Sequence, residues 1–424
     1  MRGSLGNIVN TFDAVVVGGG VAGLSTAMQL ASRGFRVVVL ERQQLGSGST
    51  GRAAGLLGQL RGTAEPTRML IEGVKIVREL EERAGVEIYV QTGSVRVAET
   101  PERAQEIVQL VDMGKSIGFQ IDHVPVDEVA RLLPHMKTDD LLAACLCPTD
   151  GYLQPAELVA AYTKVGREMG VEFHTRCRVD RLLVEGGAAR GVATSQGDFH
   201  AAVVVNAGGP WSMLLAETAG VRVPAAAIGH CYLTTTPDGD HPVDRLSPSV
   251  RDRHLRIYAR PEAGGLIVGM YGEEPPVHDM ARLPADFDMA TMKSPHDSLD
   301  VALLLEAAAQ RFPWIGPRTP MHVTTGIMTF TPDAKPLCGK MSNIDGLFHC
   351  TGFSGHGIVQ SPTIGVIMAD LIVDGQSDYD IAAIEADRFH ARCDLIDRQQ
   401  IDAACRTMAG NYYGAVEGKS DRAT

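Results

Sequence analysis

Hydrophobic positions near the start of the chain follow two different spacings in succession. Residues 13–18 form a β-branched run that ends in glycines, which predicts a buried strand. Apolar residues at helical spacing follow over 21–33, Gly34 ends that helix, and residues 36–40 form a second buried run. This order predicts a βαβ unit with parallel strands.

The pattern then changes and later returns to its first form. Residues 66–84 and 101–117 predict amphipathic helices, and the stretches 231–235, 255–258 and 266–270 alternate polar and apolar residues. Such strands suit an antiparallel sheet with one face open to a cavity. This pattern predicts two interleaved domains and a tail. The first domain is predicted at 12–85, 150–222 and 322–380, the second at 86–149 and 223–321, and a helical C-terminal tail at 381–424.

The glycines after the first strand have the spacing of a dinucleotide-binding loop. Gly18 permits a tight turn, Gly20 lets a pyrophosphate approach the backbone, and Gly23 lets the helix pack close to the strand. The helix N-terminus offers free N–H groups to the phosphates. Glu41 closes the second strand, where a carboxylate binds ribose hydroxyls. FAD fits better than NAD, because no second glycine loop follows a later strand and no separate catalytic centre stands out.

Composition narrows the classes of partner. The formal net charge of −12 argues against nucleic acid as a partner. The apolar runs are strand-sized, well short of the roughly 20 residues that span a bilayer, so we expect no integral membrane segment. The N-terminus shows no apolar signal region, and the eight cysteines contain no C-x-x-C pair. We therefore expect a cytoplasmic protein with reduced thiols.

Several separated segments together resemble the D-amino-acid-oxidase-type flavoproteins, and most of all the flavin domain of sarcosine and dimethylglycine dehydrogenases. These segments are 13–42, 48–61, 257–269, 331–333 and 346–357. The resemblance implies a Rossmann-like FAD-binding domain interleaved with a mixed-sheet substrate domain, an α/β fold with antiparallel β-structure of the glutathione-reductase-2-like, DAO type. It also implies oxidation of the C–N bond of a small secondary or tertiary amino acid, such as sarcosine, dimethylglycine, glycine or a cyclic imino acid, by hydride transfer to the flavin.

The loop and the resemblance together predict the cofactor site. The residues expected to bind FAD are Gly18, Gly20, Val21, Ala22, Gly23, Glu41, Arg42, Ser49, Thr50, Arg52, Ala53, Ala54, Gly55, Val179, Asn206, Ala207, Gly208, Gly326, Asp333, Gly352, Phe353, Ser354, Gly355, His356, Gly357 and Ile358. Relatives that attach FAD covalently have a histidine at the position of Arg52 or a cysteine at that of Gly326. The resemblance therefore implies non-covalent FAD.

The substrate residues are predicted from the resemblance and from the need for a carboxylate anchor. Arg61 follows the flavin loop where related enzymes place a carboxylate-binding arginine, and a guanidinium pairs well with a carboxylate. Tyr258 aligns with an active-site tyrosine, and Tyr271 falls where a relative has a substrate-side histidine. Arg256 and Arg260 share the side of Tyr258 by strand alternation, so either is an alternative anchor. His230 is more simply interpreted as a structural strand histidine, and Val359 replaces a carboxylate-binding lysine of sarcosine oxidases.

Two alternative functions and the electron acceptor remain open at this stage. One alternative is oxidation of a 2-hydroxy acid or glycerol phosphate on the same fold, and the other is a non-catalytic FAD-binding regulatory relative. The acceptor is oxygen, a quinone or an electron-transfer flavoprotein. Monomeric sarcosine oxidases have a lysine at the position of Ile267, and an apolar residue there favours an acceptor other than oxygen. Arg52, in the flavin loop, is a possible substitute for that charge.

Overall fold

The computed structural model describes residues 10–293, 298–316, 318–340 and 343–414. Its helices, in chain order, are α1 (Val21–Ser32), α2 (Ala64–Ala84), α3 (Pro101–Ser116), α4 (Val126–Leu132), α5 (Pro155–Glu168), α6 (Ser212–Glu217), α7 (Leu299–Arg311), α8 (Gly357–Val373) and α9 (Arg398–Asn411). Its strands are β1 (Asn10–Thr11), β2 (Ala14–Val17), β3 (Val37–Leu40), β4 (Leu56–Leu57), β5 (Tyr89–Gln91), β6 (Ser94–Ala98), β7 (Asp122–His123), β8 (Ala143–Cys147), β9 (Gly151–Leu153), β10 (Glu172–His174), β11 (Val179–Glu185), β12 (Ala188–Thr194), β13 (Gly197–His200), β14 (Val203–Asn206), β15 (Ala226–Thr235), β16 (Ser249–Asp252), β17 (Ile257–Glu262), β18 (Gly265–Met270), β19 (Met321–Phe330), β20 (Leu337–Lys340) and β21 (Leu347–Thr351).

A six-stranded sheet forms the first domain, in the order β10-β3-β2-β14-β21-β20. Its pairs are parallel except for β20 with β21. The valines of β2 and β3 are buried on both faces, as expected for strands covered by helices. Helix α1 packs against α8 and α5 on this sheet. The predicted βαβ unit is therefore present, and the carboxyl ends of its strands lead into the glycine loop.

An eight-stranded sheet forms the second domain, in the order β19-β15-β18-β17-β16-β6-β8-β7. Its pairs are antiparallel except for β6 with β16. Helix α7 packs against one face of this sheet, where Leu233, Val268 and Leu304 share a hydrophobic cluster. The opposite face carries Tyr258 and Tyr271 towards the first domain.

Two predicted boundaries differ from the structure. The predicted division at residue 322 falls at the start of β19, yet β19 pairs with β15 along its whole length, from Met321 opposite Thr235 to Phe330 opposite Ala226. This strand therefore belongs to the eight-stranded sheet. The predicted helical tail is helical at α9, whereas residues 381–397 form turns, and residues 415–424 lie outside the described part. In the described ranges, no helix is long and apolar enough to cross a membrane.

Candidate active site

A cavity of about 620 Å³ lies between the two large sheets. This volume falls within the range typical of small-molecule and cofactor sites. The cavity is bordered by the loop after β2, the turn at Ser49–Arg52, the loop between β21 and α8, and the inner face of the eight-stranded sheet. Of the residues predicted to bind FAD, all except Gly23, Asn206 and Asp333 line it. Distant pieces of chain thus meet along one elongated site.

The glycine loop has the close contacts that its motif requires. Gly18 has a φ of +111°, and a Cβ there would lie 2.3 Å from the carbonyl oxygen of Ala207. A Cβ on Gly23 would lie 2.1 Å from the carbonyl oxygen of Gly18. The N–H of Val21, in the first turn of α1, donates to the Thr50 hydroxyl over 3.2 Å. The loop is therefore held with its backbone against the cavity, as a bound pyrophosphate needs.

Glu41 and Arg42 form the end of the cavity that suits an adenosine. The Glu41 carboxylate accepts hydrogen bonds from the N–H groups of Gly19 and Gln43, each over 2.8 Å. Burial raises the pKa of Glu41, and these backbone donors oppose the shift. The Arg42 guanidinium lies 4.3 Å from the centre of the Trp211 ring. A carboxylate and a flat cationic surface are suited to ribose hydroxyls and a base.

The turn at Ser49–Arg52 packs against β19. The Ser49 hydroxyl donates to the carbonyl oxygen of Ile327, and a Cβ on Gly326 would lie 2.7 Å from the Cβ of Arg52. The two positions at which relatives attach flavin are therefore in direct contact here. The Arg52 Nε is buried and has no hydrogen-bond partner among the described residues. It is thus a donor available to a ligand that fills this part of the cavity.

Five side chains form an aromatic chamber at the other end of the cavity: Tyr258, Tyr271, Tyr413, His230 and His356. The His230 Nε2 lies 2.8 Å from the Tyr258 hydroxyl oxygen, and the ring centres of Tyr271 and Tyr413 are 4.8 Å apart. Burial lowers the pKa of His230 to about 4 and that of His356 well below its usual value. It raises the pKa values of Tyr258 and Tyr271. These groups are therefore neutral near pH 7.

Arg251 is the cation that lines the cavity at the aromatic chamber. Its Nη1 lies 3.1 Å from the Tyr413 hydroxyl oxygen, and it forms no ion pair within the described ranges. Burial by itself would lower the pKa of Arg251, but nearby Tyr413 and Asp150 raise it above its usual value. Arg251 is thus a charged hydrogen-bond donor positioned to bind an anionic ligand.

Arg61 and Arg96 lie behind Arg251. The Nη1 of Arg61 donates to the carbonyl oxygens of Gly58 and Leu60, and the Nη2 of Arg96 donates to the same Leu60 oxygen. The Nη2 of Arg251 lies 2.7 Å from where a Cβ on Gly58 would stand. Burial, together with the charges of Arg251 and Arg96, lowers the pKa of Arg61 to about 10. The guanidinium groups of Arg61, Arg96 and Arg251 therefore converge on residues 58–60.

The structure places the two alternative anchors outside the cavity lining. Arg256 precedes β17 with a φ of +59°, so strand alternation does not apply to it. Its guanidinium donates to the carbonyl oxygen of Gly410 and pairs with Glu273. Arg260 donates to the carbonyl oxygen of Ala54 and pairs with Glu262. Arg260 therefore supports the flavin loop, and Arg61 too does not reach the lining.

The three predicted cofactor residues outside the lining have supporting contacts. Gly23 packs against the loop as described above. The Asn206 side chain donates to the carbonyl oxygen of Ser212 over 2.8 Å. The Asp333 carboxylate pairs with Arg388 over 2.8 Å. Asn206 and Asp333 therefore stabilise turns beside the cavity rather than contacting its contents.

Sheet register accounts for the residue that sequence reasoning missed. Arg251 on β16 is directly opposite Tyr258 on β17 and Arg96 on β6, and Tyr258 is directly opposite Gly269 on β18. Opposed residues share one face of a sheet, so this row points to the cavity side. A Cβ on Gly269 would lie 2.2 Å from the Tyr258 ring, so the ring lies over a glycine. The sequence signal that could have indicated Arg251 was the hairpin that pairs it with Tyr258. No signal in the sequence indicated that Tyr413 would join the cavity.

Comparisons with known proteins identify the family to which the chain is similar. A family model described as FAD dependent oxidoreductase matches residues 13–371. The chain is 30% identical over 410 residues to a 4-methylaminobutanoate oxidase (formaldehyde-forming) of Paenarthrobacter nicotinovorans, covering 94% of this chain and 48% of that protein. It is 30% identical over 389 residues to human mitochondrial sarcosine dehydrogenase, covering 90% of this chain and 42% of that protein. The chain thus spans about half the length of the curated relatives it matches.

The fold also matches solved structures. The crystal structure of L-proline dehydrogenase from P. horikoshii superposes with a TM-score of 0.80 and 23% identity, covering 90% of this chain and 99% of that chain. This similarity confirms the predicted fold class of a Rossmann-like domain interleaved with a mixed-sheet domain.

Proposed function

The chain belongs to the family of FAD-dependent oxidoreductases, and we propose that it oxidises the C–N bond of a small secondary or tertiary amino acid. The relatives named 4-methylaminobutanoate oxidase and sarcosine dehydrogenase support this substrate class, since both names denote N-methyl amino acids. The observation that carries the proposal is the position of Arg251, a half-buried cation at the edge of an aromatic chamber.

Arg251 and the chamber suit an amino acid that reacts as a free amine. The guanidinium binds the substrate carboxylate, which places the amine among the rings of Tyr258, Tyr271 and Tyr413. These rings exclude water, and removal from water disfavours the charged form of an amine. Arg251 adds a nearby positive charge, and the five chamber side chains include no carboxylate. The chamber therefore lowers the pKa of the bound amine and favours its neutral form.

The glycine loop, Glu41 and the Ser49–Arg52 turn would hold FAD, because their backbone N–H groups and the free Arg52 Nε face one continuous cavity. When bound, FAD supplies the acceptor for the hydride that leaves the carbon next to the nitrogen. The N-terminus of α8, which begins at Gly357 beside the cavity, favours negative charge there. These residues would orient the bound cofactor, and the substrate would supply the hydride.

The same proposal includes non-covalent binding of FAD. Arg52 and Gly326 occupy the two positions at which relatives carry an attachment residue, and neither side chain is a nucleophile. The contact between these two residues supports the proposal, because the Arg52 side chain occupies the space beside Gly326 that a larger attachment residue would need.

Oxidation of a 2-hydroxy acid is the competing function, and the chamber contains a feature that favours it. Removal of a hydroxyl proton needs a base near the flavin, and His230 and His356 are neutral histidines in the chamber. An anaerobic screen of N-methyl amino acids and 2-hydroxy acids, in which the loss of flavin absorbance reports reduction, separates the two functions. Bleaching by hydroxy acids alone would contradict C–N oxidation, and bleaching by no compound would favour a regulatory relative.

For the electron acceptor, we propose a quinone or an electron-transfer flavoprotein rather than oxygen. Ile267 is neutral and buried in a hydrophobic cluster, so it offers no charge to an oxygen anion. Arg52 lines the cavity and is the residue that would supply such a charge. Protein reduced anaerobically by its amine is mixed with oxygenated buffer, and the return of flavin absorbance is timed. Reoxidation as fast as turnover would contradict the proposal, and Arg52→Met would show whether that arginine is responsible.

A further inference from the structure

Two adjacent tyrosines follow the C-terminal helix α9; Tyr413 lines the aromatic chamber, and Tyr412 packs beside it. The Tyr413 ring packs against Tyr271 with centres 4.8 Å apart, and its hydroxyl oxygen lies 3.1 Å from Nη1 of Arg251. Tyr412 packs against Tyr271 with centres 5.0 Å apart, and its hydroxyl oxygen lies 3.1 Å from the Nε2 of His356. One wall of the chamber is therefore formed by residues far from the flavin-binding segments in sequence.

Arginines of the second domain bind the end of this helix and two of the residues that carry the chain beyond it. The last carbonyl groups of a helix have no partners within it, and cations near this end are also favoured by the helix dipole. The Arg103 Nη2, on α3, donates to the carbonyl oxygens of Tyr413 over 2.9 Å and Gly414 over 3.0 Å. The Arg256 Nη1 donates to the carbonyl oxygen of Gly410 over 2.8 Å. The backbone that carries Tyr413 is thus fixed from two sides.

We propose that Tyr413 is a specificity-determining residue of the substrate chamber and that Arg103 is its positioning residue. This inference rests on the proposed function. The Tyr413 ring limits the space beside the carboxylate anchor, which excludes amino acids with bulky side chains. Its hydroxyl accepts a hydrogen bond from Arg251 and so fixes the guanidinium that binds the carboxylate. Arg103 also forms an ion pair with the buried Glu106 on α3, and its link to the chamber runs through the backbone carbonyl groups of Tyr413 and Gly414.

Ligand binding tests the role of Tyr413 without requiring turnover. The probe is (methylthio)acetate, in which sulfur replaces the amine nitrogen, together with its 2-benzyl derivative; each is titrated into the FAD-loaded protein and followed by the flavin difference spectrum. Tyr413→Ala should shift the ratio of the two dissociation constants towards the benzyl derivative by tenfold or more, since pocket size discriminates by about this much. Tyr413→Phe keeps the ring, so it should leave that ratio unchanged. It should weaken (methylthio)acetate by about tenfold, because Arg251 loses its partner.

Variants of Arg103 test the positioning role. Arg103→Met should shift the same ratio in the direction of Tyr413→Ala, and Arg103→Lys, which still donates to carbonyl oxygens, should restore part of the difference. With an amine substrate, Arg103→Met should raise KM with little change in kcat, since it alters the fit of the chamber. Arg406→Met is the matched control. Arg406 lies on α9, the helix that precedes Tyr413, and its ion pair with Glu274 is on the surface. The control should behave as wild type in both measurements.

The results distinguish this inference from the proposed function. Thermal midpoints and flavin contents are measured for every variant, so a shift in binding is separated from loss of the fold. A Tyr413→Ala protein that retains FAD and keeps the wild-type ratio would overturn the role of Tyr413. If that variant does not fold, wild-type affinity in Tyr413→Phe would overturn it instead. A shifted ratio in a protein that no amine reduces would support the chamber wall and contradict the proposed function.

Discussion

Replacement of Arg251 by methionine is the most direct test of the proposed carboxylate anchor. The substitution keeps an unbranched side chain of similar reach but removes the charge and every guanidinium donor. Arg251 lines the cavity, is half-buried, and has the Tyr413 hydroxyl rather than a carboxylate as its described partner. A ligand carboxylate that enters the variant chamber would be removed from water without its counter-charge.

The magnitude follows from the burial of this pair. Loss of one partner from a buried, hydrogen-bonded charge pair costs about 2 to 5 kcal/mol. Because about 1.4 kcal/mol corresponds to tenfold in affinity, the expected weakening is roughly 30- to 4,000-fold. Arg61→Met should have a smaller effect, since the Arg61 Nη1 is held by the carbonyl oxygens of Gly58 and Leu60 and the residue does not line the cavity.

The assay is titration of (methylthio)acetate into FAD-loaded protein, followed by the flavin difference spectrum, with kcat/KM for an N-methyl amino acid as the second measurement. Arg245→Met serves as the control, because Arg245 forms an exposed pair with Glu87 over 3.0 Å and lies outside the cavity lining. A large loss in Arg61→Met together with wild-type affinity in Arg251→Met would refute this reasoning and restore Arg61 as the anchor.

The remaining predictions concern the cofactor and acid stability. Denaturation should release the flavin into the supernatant, and colour that stays with the precipitate would contradict non-covalent binding. Gly20→Val should abolish FAD binding, measured as flavin content, because a branched side chain would occupy the space of the pyrophosphate; a normal flavin spectrum would refute the loop assignment. Burial lowers the pKa of His349 to about 4, so the unfolded chain binds more protons between about pH 6.5 and pH 4, and stability should fall as the pH is lowered through this window. His349→Met should reduce that slope by up to about 1.4 kcal/mol per pH unit in urea unfolding, and an unchanged slope would exclude His349 as a cause.

Local patterns determined the first domain and its cofactor loop. The strand, glycines, helix and Glu41 lie within a short stretch of chain, so their mutual geometry follows from local chain stereochemistry. The same holds for the turn before α8, where glycines precede an apolar helix. Both segments line the cavity as the sequence predicts, because each needs only its own neighbours to adopt its shape.

The aromatic end of the cavity depended on tertiary structure. Arg251 reaches the cavity because three strands pair in one register and place it between Arg96 and Tyr258. The prediction that Arg256 shares the side of Tyr258 by strand alternation was wrong, because Arg256 has a φ of +59° and precedes the strand. Tyr413 joins the chamber because α9 packs on the second domain and because Arg103 and Arg256 bind the backbone at and after its end. Sheet register and helix docking arise from contacts between residues far apart in sequence, which a reading of local patterns does not specify.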